Sequence, residues 1–231
     1  MANLVIGIEG LVGAGKTSIC RELIKRIPNT ILINGGNIYR AIIGMIMKNG
    51  QKLNELKDNA EKLDMKQMMD LLKIEFRIEN NETVMYCDNQ KVSEEYIQSK
   101  EISLAVSSLG GRTDEKALFQ YAKNIIDNFK EKYNVILSGR GVLTIYPECD
   151  YHLFITADLE ERVKRKASQY HDKTLEEVRQ NIMKRDELQK EVGYYDISEK
   201  TTVIDVTDCK SASESTDKVL EVLGMIHVAA N

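Results

Sequence analysis

Four cysteines, Cys20, Cys87, Cys149 and Cys209, are spread over 231 residues, and no two form a C-x-x-C pair. With no histidine cluster beside them they offer neither a disulfide scaffold nor the spacing of a zinc site or redox pair, and a reduced cytoplasmic setting fits. No apolar run approaches the ~18 to 20 residues that a membrane span needs. The first residues run straight into a strand pattern, so no secretory leader is expected. Excess basic charge is missing too: the formal net charge is -4, which argues against a general nucleic-acid or membrane surface. Internal repeats and low-complexity tracts are absent. A soluble chain of this length suits one sizeable domain with a full core, carrying at most an inserted subdomain.

What is present begins at Gly10-Leu11-Val12-Gly13-Ala14-Gly15-Lys16-Thr17, which satisfies the pattern G-x-x-x-x-G-K-[ST]. Glycines let the backbone curl into a nest whose N–H groups face a triphosphate, and the helix that follows adds its positive dipole end. Lys16 is placed to reach the β- and γ-phosphates of ATP or GTP, and the Thr17 hydroxyl to bind Mg²⁺. The flanks agree. Leu4 to Ile8 is a short apolar run suited to a strand buried on both faces, and Ile19, Leu23, Ile24 and Ile27 recur at helical spacing.

Further along, Thr30 to Ile33 reads as a second strand, and Asn37 as the cap of a helix carrying Ile38, Ile42, Met45 and Ile46. A helical segment is expected over 61–72. From Ile74 the period changes to alternation, with Asn80-Asn81-Glu82 as a turn and a returning strand through Val84 and Tyr86, so a β-hairpin sits inside an inserted subdomain. A short helix at 102–109 ends at Gly110-Gly111, and a longer one carries Leu118, Ala122, Ile125 and Phe129. Val135 to Leu137, Tyr151 to Thr156 and Thr202 to Val206 complete the strands. Asp158 can cap the helix after the fourth of these. Strands alternating with helices imply a three-layer α/β fold around a mainly parallel five-stranded sheet, with ligands at the carboxyl ends of the strands.

Phosphoryl transfer also needs cations around the transferring oxygens. Arg40 follows the second strand and Arg140 stands between two glycines after the third, where packing gains little from it. Arg162 and Arg165 lie one turn apart on a helix and Arg185 falls on the next. The polar stretch from Ser168 to Thr174 between them reads as the hinge of a helical lid.

These pieces together resemble the bacterial cytidylate (CMP/dCMP) kinase family over nearly the whole chain. The matching blocks are Ile8-Glu9-Gly10 to Thr17, Gly36-Asn37-Ile38-Tyr39-Arg40, Val92-Ser93-Glu94-Glu95, Gly139-Arg140-Gly141-Val142, Glu160 to Arg165, and Lys184-Arg185-Asp186. The resemblance implies one P-loop kinase domain over 1–231, an acceptor-binding insertion over 48–112 and a lid over 158–190. Gly10, Gly13, Ala14, Gly15, Lys16, Thr17 and Ser18 would surround the donor ATP, with Arg162 from the lid. Thr17 would serve Mg²⁺, and Glu9, by its place directly before the phosphate loop, and Ser138 could organise the waters of that ion. Lys16, Arg140, Arg165 and Arg185 would stabilise the transferring group. Gly35, Tyr39, Arg40, Ser107, Lys116, Arg140, Arg185 and Gln189 would form the acceptor side. A monomer acting on a nucleotide, with no nucleic-acid or membrane partner, is the expectation.

The chain departs from the family pattern around the base and sugar. Asn34-Gly35-Gly36 replaces Asp-Ser-Gly, Ser138-Gly139-Arg140-Gly141 replaces Asp-Gly-Arg-Asp, and Gln189 and Val192 stand where an Asp and an Arg help hold the acceptor. Lost carboxylates and guanidiniums remove the groups that a wrong ligand would leave unpaired. Three functions therefore stay open: a CMP or dCMP kinase, a related kinase with another nucleotide or small metabolite as acceptor, and a nucleotide-binding protein without turnover.

Overall fold

A computed structural model describes residues 2–48, 70, 73–102, 115–170, 173–191, 193, 195 and 197–225, without the side chains of Tyr39, Ile46 and residues 115–118. The helices read at 61–72 and 102–109 fall almost wholly outside these residues, as do Ser107 and Val192.

The described chain alternates as the hydrophobic pattern requires. Strand β1 (Val5–Gly10) leads through the phosphate loop into α1 (Lys16–Arg26), and β2 (Thr30–Asn34) into α2 (Gly35–Lys48). Then come β3 (Ile74–Glu79), β4 (Glu82–Cys87), β5 (Gln90–Lys91) and the short α3 (Glu94–Ile97). Helix α4 (Glu115–Lys130), β6 (Asn134–Ser138), α5 (Val142–Ile145) and β7 (Tyr151–Thr156) follow. The chain closes with α6 (Leu159–Ala167), α7 (Leu175–Glu191), β8 (Thr201–Asp205) and α8 (Ala212–Val222).

Strands β2, β6, β1, β7 and β8 lie side by side and all parallel, which puts their carboxyl ends on one edge. Because side chains alternate along a strand, each strand feeds two cores. Val5, Ile31, Ile33, Val135 and Leu137 pack against α2, α4 and α5 on one face. Ile6, Ile8, Leu32, Ile136 and Ile155 pack against α1 and α8 on the other. A third, small cluster of Val12, Val163, Val178 and Ile182 roots α6 and α7 on the phosphate loop.

The hairpin differs from the expected five-stranded arrangement. It extends the central sheet to eight strands: β4 runs parallel to β2 at Leu32 and Glu82, and the Leu32 N–H donates to the Asn81 carbonyl at 2.8 Å. Without it β2 would present an open edge, and a paired edge is the more stable arrangement. The turn is shorter than expected. Asn80 and Asn81 both take left-handed conformations and Glu82 already belongs to the strand. A second turn of the same kind, at Asp88 and Asn89, returns the chain into β5.

Two helix caps also move. Helix α2 begins at Gly35, so Asn34 and not Asn37 occupies the cap, its side-chain oxygen accepting from the Asn37 N–H at 3.3 Å. Asp158 does stand at the cap of α6 but its side chain makes no capping bond; its own N–H donates to the Thr207 hydroxyl.

Candidate active site

The phosphate loop sits at the carboxyl end of β1. Gly10 has φ +145, and a Cβ there would lie 2.1 Å from the Ile155 carbonyl oxygen, because the Leu11 N–H bonds that carbonyl at 3.0 Å. Only glycine fits this close approach of two backbones. Ala14 is fully buried under the loop, and Gly15, with φ +96, opens α1. Thr17 and Ser18 are exposed on the first turn of that helix, where unpaired N–H groups and the dipole attract anions.

Lys16 is folded onto its own loop, donating to the Gly10 and Leu11 carbonyls at 2.7 and 2.8 Å. Burial lowers its pKa to about 8; the positive charge of Arg140 adds to this and that of Arg185 does so more weakly. Asp186 and the Cys20 thiol pull the other way. The charges of Arg140 and Arg185 thus bear on Lys16 although both residues lie far along the chain.

Arg162 and Arg165 are turned inward to the loop's backbone. Arg162 is buried, its Nε donating to the Ala157 carbonyl at 2.9 Å and its Nη1 to the Val12 carbonyl at 3.1 Å and to Asp186 at 2.5 Å. Arg165 donates to the Val206 and Cys209 carbonyls at 2.8 and 2.9 Å and lies 3.5 Å from the Ala14 carbonyl oxygen. Both fasten the loop to β7 and β8 through protein contacts.

Glu9 also stands elsewhere than beside Thr17. It is buried, one carboxylate oxygen accepting from the Val142 N–H at 2.7 Å and the other lying 3.0 Å from His152 Nε2, whose Nδ1 is 2.8 Å from the Thr201 hydroxyl. The alternation of β1 explains this, since Glu9 shares the face of Gly7 and not that of Ile8. Its carboxylate caps α5 through Val142, directly after the left-handed Gly141, and so supports the turn that carries Arg140.

At the turn after β6, Gly139 lies against the start of α2, where a Cβ would be 3.5 Å from the Gly36 nitrogen, an ordinary contact. Gly35 is buried in this contact region, and Arg40 reaches toward the Ile97 carbonyl at 3.5 Å. Burial pushes the Cys20 thiol up to about 11, and the Ser138 hydroxyl as a donor pulls the other way. Gln189 is buried on α7. Tyr39 and Lys116 lie in helices α2 and α4, their side chains outside the description. Where β4 diverges from β2, a cleft of about 340 Å³ opens, lined by Thr17, Asn34, Asn37, Thr83, Glu82 and Glu94 among others.

Mg²⁺ fits Thr17 as a hydroxyl ligand beside phosphate oxygens and water, the ligand set this ion commonly takes. Among the described residues no cluster of three or more His, Cys, Asp or Glu could hold a metal without such a substrate.

A glycine-rich loop at the end of the central strand of a parallel sheet, with Lys16 folded onto it and the charges of Arg140 and Arg185 bearing on that lysine, defines a P-loop phosphotransferase. The cytidylate kinase family profile matches residues 6–224. The chain belongs to the cytidylate kinase family, and is a kinase. It is similar to the cytidylate kinase of Clostridioides difficile (strain 630), 29% identical over 231 residues, covering 97% of this chain and 100% of the relative. It is 30% identical over 230 residues to that of Carboxydothermus hydrogenoformans, covering 95% and 96%. A crystal structure of an uncharacterized protein from Eubacterium ventriosum ATCC 27560 aligns over 97% of this chain and 100% of its own, with 11% identity and a TM-score of 0.49.

Asp186, Tyr195 and His152 were not singled out by the sequence reading. Asp186 had a signal, since it follows Arg185 in a matching block; Tyr195 and His152 had none.

Proposed function

We propose that this kinase transfers the γ-phosphoryl group of ATP to a nucleoside monophosphate, with CMP or dCMP as acceptor. Lys16 held on the phosphate loop, in a chain of the cytidylate kinase family, carries the reading. The donor's β- and γ-phosphates would lie against the loop N–H groups, and Lys16 would exchange the carbonyls of Gly10 and Leu11 for phosphate oxygens. That exchange gives the lysine a negative partner and favours its charged form. Arg140 and Arg185 would neutralise charge spreading over the transferring group between donor and acceptor. Mg²⁺ bound at Thr17 would supply further neutralisation of the phosphate oxygens. No covalent enzyme intermediate is needed for in-line transfer.

Arg162 and Arg165 take positioning roles in this scheme, holding Val12, Ala14 and the end of β8 so that the nest keeps its shape. The acceptor would bind beyond Arg40, between the Asn34-Gly35-Gly36 turn and Arg140, with the hairpin forming its outer wall. Helices α6 and α7 would act as the lid, excluding water from the transfer.

A second acceptor class has its own support. Ser138 and Gly141 stand where the family pattern has carboxylates, so neither carboxylate is there to read a base or sugar. Release of ADP from Mg-ATP, measured with CMP, dCMP, UMP, dUMP, TMP, AMP and GMP beside a Lys16→Ala control, separates the readings. Stimulation by CMP or dCMP that disappears in the control is expected. Stimulation by another nucleotide alone would replace the acceptor, and ATP binding without transfer to any of them would overturn the nucleotide kinase reading.

A further inference from the structure

Asp186 receives hydrogen bonds from three elements at once. Its Oδ1 accepts from the Val12 N–H at 3.3 Å and from the Tyr195 hydroxyl at 2.7 Å, and its Oδ2 accepts from Arg162 at 2.5 Å. The same Arg162 nitrogen donates to the Val12 carbonyl. Both polar groups of the Val12 peptide flanks are therefore held, one by a carboxylate and one by its guanidinium partner, which is only 8% exposed. Tyr195 is fixed in turn by an edge contact with the Phe154 ring on β7, at 5.7 Å between centroids and 83° between planes. Burial and the Asp186 bond both raise the phenol's pKa, so it remains a donor.

Packing alone would not specify this arrangement. Val12 is buried among Val163, Val178 and Ile182, and a helix displaced by one turn, about 5.4 Å, could cover it with another aliphatic residue. Hydrogen bonds to one particular carboxylate distinguish that register from its neighbours, whereas the desolvated ion pair adds little net stability. The residue immediately before Asp186 is Arg185, whose charge bears on Lys16.

We propose that Asp186 and Tyr195 form a latch that fastens the phosphate loop at Val12 to helix α7 and so fixes the register of the helix that carries Arg185. Asp186 is a positioning residue: it holds Val12, Arg162 and Tyr195 and acts through the loop backbone and the helix that carries Arg185. The kinetic consequence rests on the kinase reading above; the latch itself does not.

The test uses full-length wild type, Asp186→Asn, Tyr195→Phe, Arg185→Ala and the Asp186→Asn/Arg185→Ala pair. Amide hydrogen exchange over residues 10–15 is expected to quicken about tenfold in Asp186→Asn and about threefold in Tyr195→Phe, with no change in Arg185→Ala. With Mg-ATP and CMP, or whichever nucleotide the panel selects, kcat should fall about tenfold in Asp186→Asn while the KM for ATP moves less than about threefold. On the Arg185→Ala background the same change should cost less than about twofold, because its route is already removed. Unchanged exchange in folded Asp186→Asn, or an equal loss on both backgrounds, overturns the latch. Should Asp186→Asn fail to fold, Tyr195→Phe decides, and wild-type exchange and kcat in that variant overturn it. Wild type without transfer to any nucleotide would defeat the kinase reading and leave the exchange result to decide the latch.

Discussion

The two sides of the site are built differently. Around the phosphate loop, charged side chains are turned onto the protein's own backbone: Lys16 onto Gly10 and Leu11, Arg162 onto Ala157 and Val12, Arg165 onto Val206 and Cys209. Around the hairpin and its cleft, charges pair in water. Arg21 and Glu82 meet at 2.9 Å with side chains 55% and 36% exposed, and Lys91 and Glu79 are comparably open. Exposed pairs of this kind contribute about 0 to 1 kcal/mol, while hydrogen bonds to charged groups in protected surroundings contribute about 1.5 to 3. The phosphate-loop side is therefore fixed by directional bonds that tolerate little change, and the hairpin side by interactions that can be exchanged at small cost.

The largest effect that would sharpen this contrast is expected at Gly10→Ala. The new Cβ would meet the Ile155 carbonyl, carbon and nitrogen at 2.1 to 2.8 Å, all backbone. Loop and β7 must separate, and urea unfolding should show a loss of about 3 kcal/mol or more. A loss below about 1 kcal/mol would mean that the loop is not held by that contact.

A middle-sized effect concerns pH. The Lys16 pKa stands at about 8, below its ordinary 10.5, and phosphate oxygens favour the charged form. Above pH 8 ATP affinity should fall by up to about tenfold per unit, about 1.4 kcal/mol, with proton uptake on binding that calorimetry in two buffers detects. The sign for stability is opposite. A lysine depressed on folding costs stability while charged, and that cost is relieved as pH rises from about 8 to 10.5, so the ligand-free protein gains from this group there. No proton uptake at pH 9 would break the assignment of Lys16 to the phosphates.

The smallest effect is expected at Arg21→Ala, which removes the exposed bond between α1 and β4. Stability should change by less than about 0.5 kcal/mol, and ATP affinity should remain unchanged in the same calorimetric assay. A large loss of affinity would show that hairpin and phosphate loop are coupled, against the division drawn here.

Legibility followed the same division. The strand, glycine loop, lysine and helix that make the donor nest are contiguous, and local rules recovered them within a residue or two. The hairpin was visible in the switch from helical to alternating period, but its attachment to β2 was not, because a single parallel bridge at Leu32 leaves no periodicity. Glu9 read as a metal residue by adjacency to the loop; one step along a strand turns a side chain to the opposite face, where His152 and Val142 take it up.

By itself the sequence determined the alternation of strands and helices, the phosphate nest and the set of arginines, since each depends on residues near one another in the chain and on backbone conformations that glycine alone permits. Tertiary structure decided which arginines face the nest and which brace it, that Asp186 and Tyr195 hold Val12, and that Glu9 supports the Arg140 turn. Those choices depend on which residues meet across 9 to 174 positions of chain, and such meetings are set by strand order and helix rotation, which leave no mark in local spacing.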